Sequence, residues 1–206
     1  MPGPLRGTAT GRVPPATGWY RYGYGRRMAY DVLAESLRLI TSGLPDRPVR
    51  LSRRRRFAPV AVDVDGDVAA TRFLRRGVGG YHDEIHLLAV DQRGAWQLLG
   101  GGGSGGEDVT AARFERLREG LGADEMTLDG SAGGARDDRL LPWGTRWVRA
   151  STVLVGHGIA ELRVGVRRLP VPNHGHLVVV WGSRRPPTVT AADGAGRAVA
   201  SAVLRL

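Results

Sequence analysis

Apolar residues recur at helical spacing between residues 28 and 45, where the repeat falls on Leu33, Leu37, Ile40 and Leu44. This spacing predicts a short amphipathic helix with one apolar face. Gly43 and Pro45 are residues that commonly end such a helix. The same spacing returns at residues 110–121, behind Asp108 as a plausible N-cap. The sequence therefore predicts two short helices.

Elsewhere apolar and polar positions alternate, which is the period of a β-strand. Residues 60–64 alternate in this way up to Asp65-Gly66, a dipeptide typical of tight hairpin turns. The other predicted strands lie at residues 68–74, 84–90, 95–99, 146–155, 159–168, 176–181, 188–192 and 197–204. The pattern predicts a mainly β protein of the α+β class, with antiparallel sheet, two short helices and a sandwich-like C-terminal part.

Changes of pattern divide the chain into four segments. Residues 1–27 are rich in proline and glycine, and we expect a disordered tail or a translated leader upstream of a start at Met28. Residues 28–121 carry the first helix, the first antiparallel strands and the second helix. Residues 122–142, acidic and rich in glycine, are predicted to be an irregular loop. Residues 143–206 form the sandwich-like segment, either as a small second domain or packed into one body with residues 28–121.

Arginine supplies all thirty basic residues, and the chain contains no lysine. Solvated positions accept either cation, so a GC-rich coding bias, as in a high-GC bacterium, explains this usage better than chemistry does. The formal net charge of +10 would by itself favour a nucleic-acid partner. The charge is unevenly placed, however, at +9 over residues 1–60, −6 over residues 61–140 and +7 over residues 141–206. This distribution argues against one continuous basic face.

The composition also excludes several classes of protein. The chain has no cysteine, which rules out disulfides, thiol catalysis, iron–sulfur clusters and cysteine-ligated zinc. No stretch approaches the ~20 apolar residues that a membrane span needs. We therefore expect a soluble, cytoplasmic protein.

The glycine run at residues 100–106 lies between a predicted strand and a predicted helix, the context in which glycine-rich loops bind phosphate. A P-loop needs a lysine, which this chain lacks, and Glu107 and Asp108 occupy the place of the phosphate charge. We therefore expect the run to be a flexible connector and predict no cofactor there.

Three histidines in the C-terminal third have spacing that would suit a metal. His174 and His176 are two residues apart, so on an extended chain their side chains point the same way. With His157 as a third ligand from a neighbouring hairpin, they would hold zinc with one position open to water. This cluster favours a metal-binding protein or a metal-dependent enzyme as one alternative function.

A run of four basic residues precedes the first predicted strand, at Arg53, Arg54, Arg55 and Arg56. The run would contact an acidic partner or, together with the aromatic and arginine-rich residues 19–27, nucleic acid. No nucleophile or pair of acid and base groups has a convincing catalytic arrangement. The leading hypothesis is therefore a non-catalytic binding or protein-interaction module with an acidic protein partner. Nucleic-acid binding through the arginine-rich N-terminal region is the second alternative.

Overall fold

The computed structural model of the chain describes residues 30–46, 50–77, 80–106, 111–136 and 146–205. In chain order its elements are α1 (Val32–Ser42), β1 (Phe57–Asp65), β2 (Val68–Arg76), β3 (Tyr81–Val90), β4 (Trp96–Gly106), α2 (Ala111–Glu119), β5 (Met126–Arg136), β6 (Arg146–Val155), β7 (Ile159–Val164), β8 (Arg167–Pro170), β9 (His176–Trp181), β10 (Thr188–Asp193) and β11 (Ala198–Val203). The mainly antiparallel β architecture and the two predicted helices are confirmed. Among the described residues, no helix is both long and apolar enough to cross a membrane.

The first sheet is an antiparallel meander in the order β1-β2-β3-β4. β1 and β2 meet at the predicted hairpin turn, where Gly66 has a φ of 62°, a backbone conformation that favours glycine. The helix α1 packs on one face of this sheet, and its Leu39 joins Phe73 of β2 in a buried cluster. A hydrogen bond of 2.8 Å between the hydroxyls of Ser36 and Thr71 ties the helix to the same strand.

The glycine run is a strand and not the flexible connector that the sequence predicts. Residues 100–106 form the second half of β4 and pair with β3. A Cβ atom at Gly101 would lie 2.0 Å from the carbonyl oxygen of Ile85, and one at Gly103 would lie 2.7 Å from that of Asp83. The close approach of β4 to its neighbour therefore requires glycine, which is a packing reason for the run.

The second sheet has three antiparallel strands in the order β5-β6-β9. Its strand β5 lies within residues 122–142, so the prediction of an irregular loop is wrong for most of that segment. Only Ala132 and Gly134 of β5 are buried, and the strand is held by its backbone pairing with β6 along its whole length. A strand that buries so little apolar surface leaves no alternating pattern in the sequence.

The third sheet has the order β11-β10-β7-β8. The predicted strand at residues 159–168 is divided into β7 and β8, because the chain turns at Gly165, whose φ is 60°. The adjacent Val166 at the tip of this turn is fully exposed. The C-terminal third of the chain thus contributes strands to both the second and the third sheet.

Both faces of the second sheet are buried at β6 and β9, whereas most of β5 is exposed or half-buried. One face packs on the first sheet in a cluster that includes Ala70 and Leu87 on one side and Val148 and Val180 on the other. Its opposite face packs on the third sheet around Trp181. Burial on both faces explains why β9 is apolar at nearly every position and does not alternate.

A buried ion pair joins the first sheet to the third, and both of its members also bond to β9 of the second sheet where β1 lies beside β9. The Asp63 carboxylate of β1 accepts hydrogen bonds from the Arg167 guanidinium of β8 and from the Val180 amide of β9, the latter at 2.8 Å. Arg167 also donates to the Val180 carbonyl at 2.9 Å. Burial raises the pKa of Asp63, and the neighbouring Arg167 opposes that rise. The pair satisfies backbone groups at the free edge of β9.

Candidate functional site

A strongly charged cleft of about 710 Å³ lies at one end of the first sheet. It lies where the β1–β2 turn meets the end of β5, the start of β6 and the segment after β9. We call it the arginine cleft, after its charged lining of Asp65, Asp67, Arg136, Arg146, Arg149 and Arg184. Four cations and two carboxylates give this surface an excess of positive charge.

The four arginines of the arginine cleft differ in what they bond. Arg136 is committed to the protein, because it pairs with Asp67 at 2.5 Å and donates to the Val90 carbonyl at 2.6 Å. The guanidinium groups of the other three, Arg146, Arg149 and Arg184, form no hydrogen bond or ion pair with any described residue. The Nε atom of Arg149 is even buried without an acceptor in the described structure. A buried donor without an acceptor is costly. The guanidinium groups of Arg146 and Arg184 are exposed, so they can pair with an anionic group that enters the cleft.

Strand pairing brings these separated arginines together. Arg149 lies directly opposite Trp181 in the register of β6 and β9, and Arg184 follows three residues after Trp181. Trp147, which lies on β6 with Arg149, keeps 42% of its surface exposed, an unusual exposure for so large an apolar side chain. The cleft therefore combines free guanidinium groups with an aromatic wall, and this combination binds carboxylates or phosphates that are attached to apolar groups.

A second cleft has the opposite character. It has a volume of about 590 Å³ and lies between the end of α1, the strand β1, the helix α2 and residues 169–178. We call it the apolar cleft, after its lining of Leu44, Pro45, Val62, Phe114, Leu169 and Val171. His174 and His176 also line it. No arginine belongs to its described lining.

Bonding partners fix the tautomers of both histidines. The Nδ1 atom of His176 lies 3.4 Å from Nη1 of Arg72, and its Nε2 atom lies 3.2 Å from the Phe114 carbonyl oxygen. A guanidinium only donates, so Nδ1 accepts and Nε2 carries the hydrogen. The Nδ1 atom of His174 accepts from the His176 amide at 3.2 Å, which places the hydrogen of that ring on Nε2 as well.

Both rings are held in the neutral form. Burial, together with the positive charge of Arg72, lowers the pKa of His176 to about 3. Burial and the same arginine lower the pKa of His174 to about 4. Near neutral pH the apolar cleft therefore presents imidazole groups and not imidazolium cations.

Arg72, which lies behind these histidines, is buried and fully engaged. It is 1% exposed and donates to both carboxylate oxygens of Asp83, at 2.8 and 2.5 Å. It also pairs with Asp129 at 3.3 Å and lies 5.2 Å from the centre of the Phe114 ring. Two carboxylates and an aromatic face compensate this cation, so it positions His176 without adding free charge to the apolar cleft.

The structure brings together only part of the predicted histidine cluster. His174 and His176 are neighbours, with ring centres 5.9 Å apart, whereas His157 is exposed in the turn before β7. Both ring nitrogens of His176 already bond within the protein. Among the described residues, no group of three or more histidine, aspartate or glutamate side chains is placed to hold a metal ion. The predicted zinc site therefore receives no support from this geometry.

The four arginines at positions 53–56 are exposed and precede β1, whereas the arginine cleft lies at the other end of that strand. β1 is nine residues long, which at about 3.3 Å per residue separates its ends by roughly 26 Å. The predicted contact residues thus belong to a different surface. Sequence reasoning missed Arg149 and Arg184, and the signal that would have found them is the pairing of the strands at 146–155 and 176–181.

Comparison of the chain with protein-family models, with curated proteins and with solved structures finds no match.

Proposed function

We propose that the protein is a non-catalytic binding module, which holds an acidic segment of a protein partner in the arginine cleft. The observation that carries this proposal is that the guanidinium groups of Arg146, Arg149 and Arg184 line the cleft and bond to no described residue. Arginines that serve only the fold find acceptors inside the protein, as Arg72 and Arg136 do. Guanidinium groups left without acceptors on a concave surface are the donors that carboxylates bind.

The aromatic wall supports a peptide ligand. Trp147 lies between Arg146 and Val148 on β6, and all three residues line the cleft. Tryptophan and arginine are the residue types enriched where protein interfaces gain most of their affinity. An acidic segment that also carries an apolar side chain would therefore use both parts of the lining.

The distribution of charge favours an acidic protein over nucleic acid. Asp65 and Asp67 interrupt the basic lining, and the exposed arginines at 53–56 lie roughly 26 Å away along β1. A nucleic-acid backbone follows a continuous basic groove, whereas a short acidic segment needs only a local cluster of cations. The arginine cleft has the second form.

The proposal is tested by fluorescence anisotropy with rhodamine-labelled hexaglutamate as the probe. We expect saturable binding at low ionic strength. The double variant Arg149→Gln with Arg184→Gln should lower the affinity about tenfold, because it removes two charge-assisted contacts. Glutamine keeps a polar side chain without the charge, and neither guanidinium group bonds to a described residue, so the variant should leave the fold intact.

The matched control removes the same amount of charge elsewhere. Arg53→Gln with Arg54→Gln should change the affinity less than about twofold, since screening weakens charges more than about 10 Å away. Equal losses in the two variants would mean that only the overall charge matters, which contradicts the proposal. Tighter binding of heptathymidylate that is lost in the cleft variant would replace the acidic protein with nucleic acid as the partner.

A further inference from the structure

We infer that the apolar cleft is a second binding site, for a small uncharged molecule that is mostly apolar and carries a carbonyl or ether oxygen. This site is independent of the arginine cleft and of the function proposed for it. Its volume of about 590 Å³ falls in the range of pockets that enclose small organic ligands. Three features of the cleft support this assignment: its apolar walls, its charge and the unused hydrogen-bond donor of His174.

The walls are apolar and come from parts of the chain that are distant in sequence. Leu44 and Pro45 follow α1, Phe114 belongs to α2, and Leu169 and Val171 border β8. Each of these side chains lines the same space, so a ligand there would lose contact with water on several sides. Such burial favours apolar surface on the ligand.

The charges of the lining exclude an anionic ligand. Asp46 and Glu115 are the acidic residues that border the cleft, and the described lining contains no basic side chain to offset them. The nearby Arg118 is occupied by the backbone carbonyls of Val155, Gly156 and Asn173. An anion would lie near two carboxylates, and it would lose its water without gaining a basic partner from the described lining.

The His174 ring gives the cleft a hydrogen-bond donor beside its apolar walls. Its Nδ1 atom accepts from the His176 amide at 3.2 Å, so its hydrogen is on Nε2. Among the described residues, no group accepts a hydrogen bond from that Nε2. A donor in a mostly apolar site selects a ligand that offers an acceptor in return. A neutral carbonyl or ether oxygen meets this requirement, and a cation does not, because it offers no acceptor.

A matched pair of probes tests the inference on the unmodified chain. Benzophenone carries a carbonyl oxygen between two phenyl rings, and 1,1-diphenylethylene has the same shape with a methylene group in place of that oxygen. Equilibrium dialysis should give saturable binding of both probes, with benzophenone bound about fivefold more tightly, as one hydrogen bond predicts. Equal affinities, or no saturable binding, would overturn the inference.

Two variants assign the preference to His174. In His174→Phe the ring is kept and the donor is lost, so the preference for benzophenone should disappear while the affinity for 1,1-diphenylethylene stays the same. In His174→Gln an acceptor and a donor are both kept, so the preference should persist. A preference that survives in His174→Phe contradicts the inference.

Photolabelling locates the site without any variant. Irradiated benzophenone inserts into neighbouring C–H bonds, and peptide mapping should place the adduct within residues 169–178 or on Phe114. An excess of unlabelled 1,1-diphenylethylene should suppress this adduct. An adduct confined to other peptides would show that the probe binds elsewhere and would overturn the assignment, even if the phenylalanine variant fails to fold.

Discussion

The arginine cleft and the apolar cleft use the same cation in opposite ways. Beside the apolar cleft, Arg72 bonds to two carboxylates and an aromatic ring, and Arg118 donates to three backbone carbonyls. In the arginine cleft, the guanidinium groups of Arg149 and Arg184 bond to no described residue. Arginine supplies all the basic residues of the chain, so its abundance carries little information. Its bonding state separates the arginines of the fold from those available to a ligand.

This difference in bonding makes the two clefts complementary to different ligands. Behind the apolar cleft, Arg72 and Arg118 are hydrogen-bonded within the protein, so the groups that face a ligand there are neutral histidines. In the arginine cleft, guanidinium groups without acceptors among the described residues give the surface its excess of positive charge. We therefore expect low pH and substitutions of buried residues to lower the stability of the region around the apolar cleft. Added salt and substitutions of exposed residues should instead lower the affinity of the arginine cleft for its ligand.

Acidification should produce the largest effect. The pKa of His174 is lowered to about 4 and that of His176 to about 3, while His86, buried under α1 beside the Tyr30 hydroxyl, is lowered to about 4. The unfolded chain protonates each ring near pH 6.5 and the folded chain does not, so stability falls as the pH drops below 6.5. Each ring then contributes a loss of about 2 kcal/mol by pH 5, or about 6 kcal/mol together. Urea unfolding at a series of pH values measures this loss.

The variant His174→Gln separates the apolar cleft from the rest of the protein in this experiment. It should remove about a third of the pH dependence and leave the contributions of His86 and His176. Asp63 has the opposite effect on stability. Because its pKa is raised in the folded state, the folded chain binds a proton at this carboxylate more readily than the unfolded chain does, and this favours folding as the pH falls. A free energy of unfolding that stays constant from about pH 7 to about pH 5 would mean that the rings are not buried in the neutral form.

Substitution of Arg72 should have the next largest effect. Arg72→Met keeps most of the buried volume but leaves Asp83 and the Nδ1 atom of His176 without their donor. Breaking a buried ion pair on one side should lower the free energy of unfolding by about 4 kcal/mol. Arg149→Met, in the arginine cleft, breaks no bond with a described residue and should change it by less than about 1 kcal/mol. Urea denaturation of the two variants compares the regions directly, and similar losses would contradict the assignment of structural and available arginines.

The sequence was sufficient to predict the type of fold but not all of its strands. The apolar pattern and the Asp65-Gly66 dipeptide correctly indicate β1, β2 and the turn between them, because most side chains of both strands are buried. The apolar pattern fails for β5, where only Ala132 and Gly134 are buried. It also fails for the glycines of β4, where close approach to Ile85 and Asp83 determines the residue type. Both failures occur where backbone pairing, and not side-chain burial, holds the strand.

The candidate site was less predictable than the fold. His174 and His176 stand together in the sequence and lie together in the structure, but their bonds to Arg72 and Phe114 come from strands and helices far away in the chain. Arg149 and Arg184 are separated by more than thirty positions and meet through the register of β6 and β9. The arginines at 53–56 formed a candidate contact site because they are adjacent in the sequence. Adjacency in the sequence does not indicate whether side chains line a cleft or which groups they bond.

Salt should distinguish the two clefts by ligand affinity. Raising the ionic strength from about 0.05 M to about 0.5 M should weaken hexaglutamate binding about tenfold, because the attraction between exposed charges is screened. The affinity for benzophenone should stay within about twofold over the same range, since no charge contributes to that contact. Anisotropy and equilibrium dialysis on one protein preparation give both results. A strong loss of benzophenone binding with added salt would contradict the neutral character of the apolar cleft.

Removal of the aromatic wall should have the smallest effect. Trp147 is 42% exposed, so Trp147→Ala should lower the free energy of unfolding by less than about 1 kcal/mol. A peptide in which one glutamate of hexaglutamate is replaced by leucine should bind the variant about threefold more weakly than the unmodified protein, because an apolar contact is lost. Hexaglutamate itself should lose less affinity, since it offers only carboxylates. An equal loss for the two peptides would mean that Trp147 supports the arginines beside it and does not contact the ligand.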